Sequence, residues 1–472
     1  MPPLVALLLG FLFVAWVFRV VERKRHVGVS NGLFWPLLWY VVAATRPVGV
    51  WLYIWGVPLP GGGDVTDGSV IDRWFYLILA IIGARILARR NLLWSTILRE
   101  NAWLVALFAF MLVSVVWSDF PWVSVKRFIK SISAVVMVLV VLTEDDPFIA
   151  IRAILRRCAY LFVPLSIIVI RYFRGIGVQF DWFGTDVSWV GLAPSKNTLG
   201  QIAMASALCF IWEIVRNREE KHGWPAVDYL YLAMSLYLLK GSDAAVSVTS
   251  VSVFAFGLLI FTRLRLLRNK LYKVRWFLAL LCLLIFGTLT MLIVHTLSPF
   301  PQDSILGFVI RTIGRDTTLS GRTDIWSDML NIASKNPLLG VGFGGFWIGR
   351  LANIPWNATM TWVLAEGHNG YVDTYLQIGW IGILLLFAVI LAACPRIVRS
   401  FAENFEYGCF RMTFFVIILF VNITETTFLR GDHALWFLFL LAALSVPAAQ
   451  TAEPARASSH VDEAEKEVSS AA

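Results

Sequence analysis

The chain has 472 residues, of which 58% are hydrophobic and 15% charged, with 21 Trp and 34 Phe. That balance excludes a soluble globular protein. The net charge of +9 is explained by membrane topology and attraction to anionic lipid, and calls for no nucleic-acid partner.

The apolar residues fall in separate runs, each long enough to cross roughly 30 Å of hydrocarbon as about 17 to 25 helical residues. Lipid offers no partner to a backbone amide, so each run must bond to itself. The predicted fold is an all-α, polytopic transmembrane helical bundle of about 12 to 13 spans with one large external segment. In chain order the spans are predicted near 4–19, 33–56, 73–88, 102–117, 128–143, 158–171, 197–215, 226–239, 244–262, 276–295, 370–392, 411–428 and 434–447. The second contains Arg46 and Pro47, and reads as one kinked span or two short ones. The chain divides into an N-terminal membrane part (1–297), an external segment with short amphipathic helices (298–369), C-terminal spans (370–447) and a tail (448–472).

The first run has no positive residue before it and no small-residue cleavage site, so it reads as a retained helix. Basic clusters at Glu22, ending at Arg90, and at Arg152, Arg216, Arg263 and Pro395 all fall on one side under this span count. Enrichment of cytoplasmic loops in Lys and Arg makes that side internal, and the segment from Ser298 to Gly367 external. Lys126, Arg127 and Lys130 are the exception, at an outer end. Cys158, Cys209, Cys282, Cys394 and Cys409 lie in spans or at their inner ends without CxxC spacing, which predicts neither disulfides nor a zinc site. The tail, rich in Ala, Ser and Glu, reads as disordered and cytoplasmic.

After the sixth span, IRYFRGIGVQFDWFGTDVSWVGLAPSKNTLGQIA leads from Ile170 through an external loop into the seventh. Arg171 and Arg174 stand at its entrance. Lys196 stands at the mouth of the seventh helix, where a cation opposes the dipole unless an anion is bound. Snorkelling arginines and a solvated lysine are the competing readings.

The external segment is longer than a connection requires. Within SGRTDIWSDMLNIASKNPLLGVGFGGFW, from Ser320, the residues Ile325, Trp326, Met329, Leu330 and Ala333 recur at helical spacing, and Asn336 before Pro337 suits a stop. This predicts a short amphipathic helix on the outer bilayer surface. Arg322 at its entrance suits a bound anion, although a solvated side chain or a pair with Asp324 remains open. The glycines that follow fit either an anion-binding nest or a plain tight turn.

His368, in WVLAEGHNGYVDTYLQIGWIG, lies about one turn before the eleventh span with Asn369 as its cap. A neutral imidazole there can take a proton from a hydroxyl, with Glu366 the competing base and an interfacial polar residue the bland alternative. Glu425, near the outer end of the twelfth span, suits pairing with an Arg or binding of hydroxyls. Asp243 beside Lys240 invites the same pairing.

GRTDIW, NPLLGVGFGGFW and GHNGYVDTYLQIGWIG together resemble the shared core of the O-antigen ligase and O-antigen polymerase superfamily, and GLAPSKNTLG is similar to an element of its exopolysaccharide polymerase branch. The resemblance implies a multi-pass, metal-independent glycosyltransferase of the bacterial inner membrane, free of cofactors, whose active site faces the periplasm. Its donor would be a glycan on undecaprenyl diphosphate, and its acceptor a glycan or lipid A-core. A flippase and a chain-length regulator are the implied partners, within membrane lipid. Carried over, Arg322 clamps the diphosphate and His368 is the base. A second arginine of the family pattern has no clear match near Trp189, where Arg171, Arg174 or Lys196 could substitute. Arg315, Glu366 and Glu425 complete the expected substrate-binding set. Polymerisation of repeat units is preferred over ligation because of the KNTLG element. A transporter is disfavoured because the polar motifs gather at one face instead of at mid-bilayer.

Overall fold

A computed structural model of the chain describes residues 1–25, 28–57, 69–180, 187–220, 225–244, 322–348 and 366–447. The predicted ninth and tenth spans, Arg315 and the tail lie outside the described residues. What is described is a helical bundle, as the apolar runs require. It comprises α1 (Pro3–Trp16), continued by a π turn over Val17–Glu22, then α2 (Phe34–Ala44), α3 (Val48–Ile54), α4 (Val70–Ala88), α5 (Trp94–Glu100), α6 (Ala102–Val113), α7 (Pro121–Leu142), α8 (Pro147–Tyr172), α9 (Arg174–Gly177), α10 (Lys196–Glu220), α11 (Pro225–Gly241), α12 (Arg322–Ala333), α13 (Gly370–Glu403), α14 (Phe405–Thr424) and α15 (Ala434–Ala443). A small antiparallel hairpin, β1 (Val178–Phe180) with β2 (Val187–Trp189), decorates the loop before α10.

Among the described residues, five helices are long and apolar enough to cross a membrane, or seven if two bent pairs each count as one span. The chain is a multi-pass membrane protein. One bent pair is α2 with α3, which meet at 61° around Arg46 and Pro47. Of the two readings of that stretch, the break is the one found: Pro47 withholds a backbone donor, and Arg46 turns to donate to the carbonyls of Ile176 at 2.7 Å and Gly191 at 3.4 Å.

The two ends of the bundle differ in chemistry. At one end, where α1 finishes and α8 begins, buried ion pairs tie helices together: Arg156 to Glu22 and Arg25 to Asp228, each at 2.8 Å, Arg152 to Glu213 at 2.8 Å, and Arg90 to Glu144. Removing one partner of such a pair typically costs about 3 to 5 kcal/mol, because it leaves a buried charge alone. The predicted basic clusters described here, at Arg25, Arg90, Arg152, Arg216 and Arg396, collect at this end. The opposite end, where α8 finishes and α10, α7 and α13 begin, holds Arg127 and Lys130. Those two exceptions to the basic-side pattern are explained by partners: Arg127 donates to the Gly344 carbonyl at 2.7 Å, and Lys130 pairs with Asp432 at 2.8 Å.

The helix α13 runs past the predicted limit of its span, through Pro395, and is broken at Ile378 and Gly379, where Gly379 has φ 62°. The break leaves carbonyls and amides without helical partners, and the glycine-rich loop after α12 supplies them. Val341 and Gly342 donate to the carbonyls of Leu376 and Gln377 at 3.3 and 2.9 Å, while Trp380 and Ile381 donate to those of Pro337 and Leu338 at 2.9 and 3.2 Å. Gly344 N–H reaches Gln377 Oε1 at 2.8 Å, and Phe343 N–H reaches Ser114 Oγ at 2.9 Å. A Cβ on Gly379 would stand 2.3 Å from the Leu338 carbonyl oxygen. The amides of residues 340–345 are therefore spent on the protein, which favours the tight turn over the anion nest at these glycines.

Candidate functional site

The site is built where α13 starts beside the end of α14. Asn369 caps α13 as its sequence position predicts, its Oδ1 accepting from Tyr371 and Val372 N–H at 3.0 Å. Its own amide donates to Thr426 Oγ1 at 3.1 Å and its Nδ2 to the Ile423 carbonyl at 3.0 Å. Gly370 permits this approach, since a Cβ there would lie 2.0 Å from Asn422 Oδ1. These contacts fix the residue just before the cap. His368 is held at φ 48°, a left-handed conformation that costs a non-glycine residue about 1 to 2 kcal/mol.

The ring of His368 is thereby set between two carboxylates. Its Nδ1 lies 3.5 Å from Glu366 Oε1 and 3.8 Å from Glu425 Oε2, and it is buried without a hydrogen bond. Both carboxylates are themselves held. Asn197 Nδ2 donates to Oε1 and Oε2 of Glu425 at 2.9 Å, and Arg430 Nη1 pairs with Glu366. Glu425 thus meets the amide of Asn197, a partner the sequence does not suggest. The donor atoms of Glu366, His368 and Glu425 lie within 4.8 Å of one another, close enough to share a proton or a cation.

Charge continues beyond this trio. Burial alone would push the Asp432 carboxyl up, but Lys130 and Arg430 outweigh it and hold Asp432 well below the usual carboxylate range. Burial, reinforced by Arg430, pushes the neighbouring His433 down to about 4. Neutral His433 accepts from Leu435 N–H through Nδ1 at 3.2 Å and so caps α15.

The amphipathic helix predicted after Ser320 is α12, and it packs against this region. Trp326 Nε1 donates to the Gly367 carbonyl at 2.7 Å, Trp347 Nε1 to Asp373 Oδ1 at 2.8 Å, and Gly367 N–H faces Asp373 Oδ2 at 3.4 Å. Arg322 is the first residue of α12, one helical turn before Trp326, so the backbone of α12 opens next to the residue that precedes His368. The side chain of Arg322 lies outside what is described.

The predicted residues thus divide. Glu366, His368 and Glu425 come together, with the start of α12 adjacent. Lys196 opens α10 directly before Asn197. Arg171 lies in the last turn of α8 and Arg174 begins α9, at the same end of the bundle, and none of these three cations has a partner among the described residues. Lys240 and Asp243 form no ion pair; Asp243 instead turns with φ 51°. Asn197, Arg430, Asp432 and Lys130 were not foreseen. Asn197 had a signal in its place within SKNTLG and Lys130 in its position against the basic-side pattern, whereas Asp432 had none beyond its charge.

A family model described as O-antigen ligase matches residues 229–387, a stretch that includes α12, the glycine-rich loop, His368 and the first part of α13. The chain is also similar to the exopolysaccharide production protein ExoQ of Rhizobium meliloti (strain 1021), being 27% identical over 299 residues, or 62% of this chain and 64% of that protein. The chain therefore spans less than two thirds of that relative's length. Both findings support the resemblance carried by the motifs: the chain is similar to the membrane enzymes of the O-antigen ligase and polymerase group.

Proposed function

We propose that the chain is a glycosyltransferase that joins oligosaccharide units carried on undecaprenyl diphosphate into a longer glycan. The observation that carries this reading is the placement of His368 between Glu366 and Glu425 at the end of the bundle where α12 opens with Arg322. Because the basic clusters collect at the opposite end, the positive-inside rule favours a site outside the cytoplasm, hence the periplasmic face of the bacterial inner membrane.

In this reading the carboxylates attract the Nδ1–H of His368 and leave Nε2 as the lone-pair base. Nε2 takes the proton of an acceptor hydroxyl while that oxygen attacks the anomeric carbon of the donor. The carbon–oxygen bond to the diphosphate breaks, its electron pair leaves with the phosphate, and the anomeric centre inverts. Arg322 stabilises the charge that builds on the leaving group, with Lys196, Arg171 or Arg174 as the second cation. Arg315 remains a further candidate for the same anion. Arg430 and Asn197 already occupy Glu366 and Glu425, which favours a reaction that runs without metal.

Similarity to ExoQ favours polymerisation of repeat units into exopolysaccharide, with the growing glycan as acceptor. The family model favours the second reading, transfer of a finished glycan to lipid A-core. Reconstitution in liposomes with lipid-linked repeat units tests the chemistry: the wild type consumes donor in the presence of EDTA, and His368→Ala loses about 10²- to 10⁴-fold in rate. Equal rates for the two overturn the assignment of the base. A deletion strain that accumulates single repeat units supports the polymerase, and one that accumulates long carrier-linked glycan supports the ligase.

A further inference from the structure

Asp373 lies in the first turn of α13 and is 2% exposed, a carboxylate shut away from water on the helix that His368 precedes. Burying such a group is costly unless donors surround it. Three do. Trp347 Nε1 donates to Oδ1 at 2.8 Å, Gly367 N–H reaches Oδ2 at 3.4 Å, and the Thr426 hydroxyl donates to the same carboxylate. An acid in the first turn of a helix ordinarily serves the free amides of that helix. These three donors come instead from the glycine-rich loop, from the residue before His368 and from the turn after α14.

A side chain is aimed by the two rigid peptide planes that meet at its Cα. On one side of His368, the Gly367 carbonyl accepts from Trp326 Nε1 at 2.7 Å, and the N–H of the same Gly367 is the one that reaches Asp373. On the other side, Asn369 N–H donates to Thr426 Oγ1 at 3.1 Å, and that hydroxyl donates onward to Asp373. Both arms end on one carboxylate. The residue between them has φ 48°, a conformation that a non-glycine residue keeps only where its surroundings over-determine it. The fit is close, since a Cβ on Gly367 would stand 3.1 Å from Asp373 Oδ1.

We propose that Asp373 is a positioning residue for the reaction: by anchoring Gly367 directly and Asn369 through Thr426, it holds His368 in the left-handed conformation that sets its ring between Glu366 and Glu425. The inference rests on His368 being the base. An ionised carboxylate accepts at both oxygens and so satisfies all three donors, whereas the amide of an asparagine sets its own N–H groups against at least one of them.

Double-mutant kinetics of the full chain in liposomes, with lipid-linked repeat units as donor, test this. Asp373→Asn is expected to lower kcat about ten- to a hundredfold with the donor KM little changed. In the His368→Ala background the same substitution should cost less than about twofold, because a residue that acts through the imidazole then has nothing left to place. Thr426→Val cuts one arm only. Its rate should fall between those of the wild type and Asp373→Asn, and its effect should likewise vanish without His368. A folded Asp373→Asn at the wild-type rate, or a loss equally large without His368, overturns the proposal; if Asp373→Asn does not fold, Thr426→Val decides by the same two outcomes. His368→Ala at the wild-type rate would remove the base itself and the proposal with it, a result distinct from either.

Discussion

Glu425 Oε2 stands 3.8 Å from His368 Nδ1, and the carboxylate that brings it there is gripped by Asn197 from a helix 228 residues earlier in the chain. The base of the proposed reaction is thus oriented by two helices at once. Glu425→Gln keeps the shape and removes the charge that favours the productive tautomer. It is expected to lower kcat about tenfold with the donor KM little changed, a smaller loss than His368→Ala produces. Steady-state kinetics in liposomes read the difference, and a change confined to KM would count against the orienting role.

Asn197→Ala releases Glu425 from its two hydrogen bonds without touching His368. Turnover should fall several-fold, and Asn197→Asp should be worse, because it sets a second carboxylate against the first. Side-by-side rates for the two variants check the order.

Gly379→Ala and Gly344→Ala separate two kinds of glycine. Both positions have positive φ, 62° and 70°, so each substitution costs about 1 to 2 kcal/mol in backbone strain. At Gly344 the new methyl meets the flexible Arg127 side chain at 2.7 Å, whereas at Gly379 it meets the Leu338 backbone at 2.3 Å. Gly379→Ala should therefore lower the melting temperature in detergent clearly more than Gly344→Ala.

Acid should destabilise the fold through His433. Its native pKa is pushed down to about 4, below the ordinary value of about 6.5, so the unfolded chain binds the proton first as pH falls. The stabilisation is complete above the ordinary value and is lost as pH drops toward 4, when protonation also removes the acceptor that caps α15. Melting temperatures between pH 7 and pH 5 should fall for the wild type and fall less for His433→Asn.

How much of this was legible depends on distance along the chain. The start and stop of α12 and the cap at Asn369 are local signals, written in residues a few positions apart, and the structure places them as the periodicity predicts. The apolar runs likewise announced the bundle. The grip of Asn197 on Glu425 and the pairing of Lys130 with Asp432 across 302 residues depend on which helices become neighbours, and no local pattern encodes that. The glycines of NPLLGVGFGGFW were ambiguous for the same reason: the break in α13 that they fill lies some forty residues later, and nothing in their own stretch shows it.

The interlock between that loop and the broken helix has a mechanical outcome. Backbone bonds fasten the stretch after α12 to both halves of α13, so α12 cannot shift along the bundle without straining the break in the longer helix. Whatever displaces α12 is therefore felt at the root of the helix that begins just after His368.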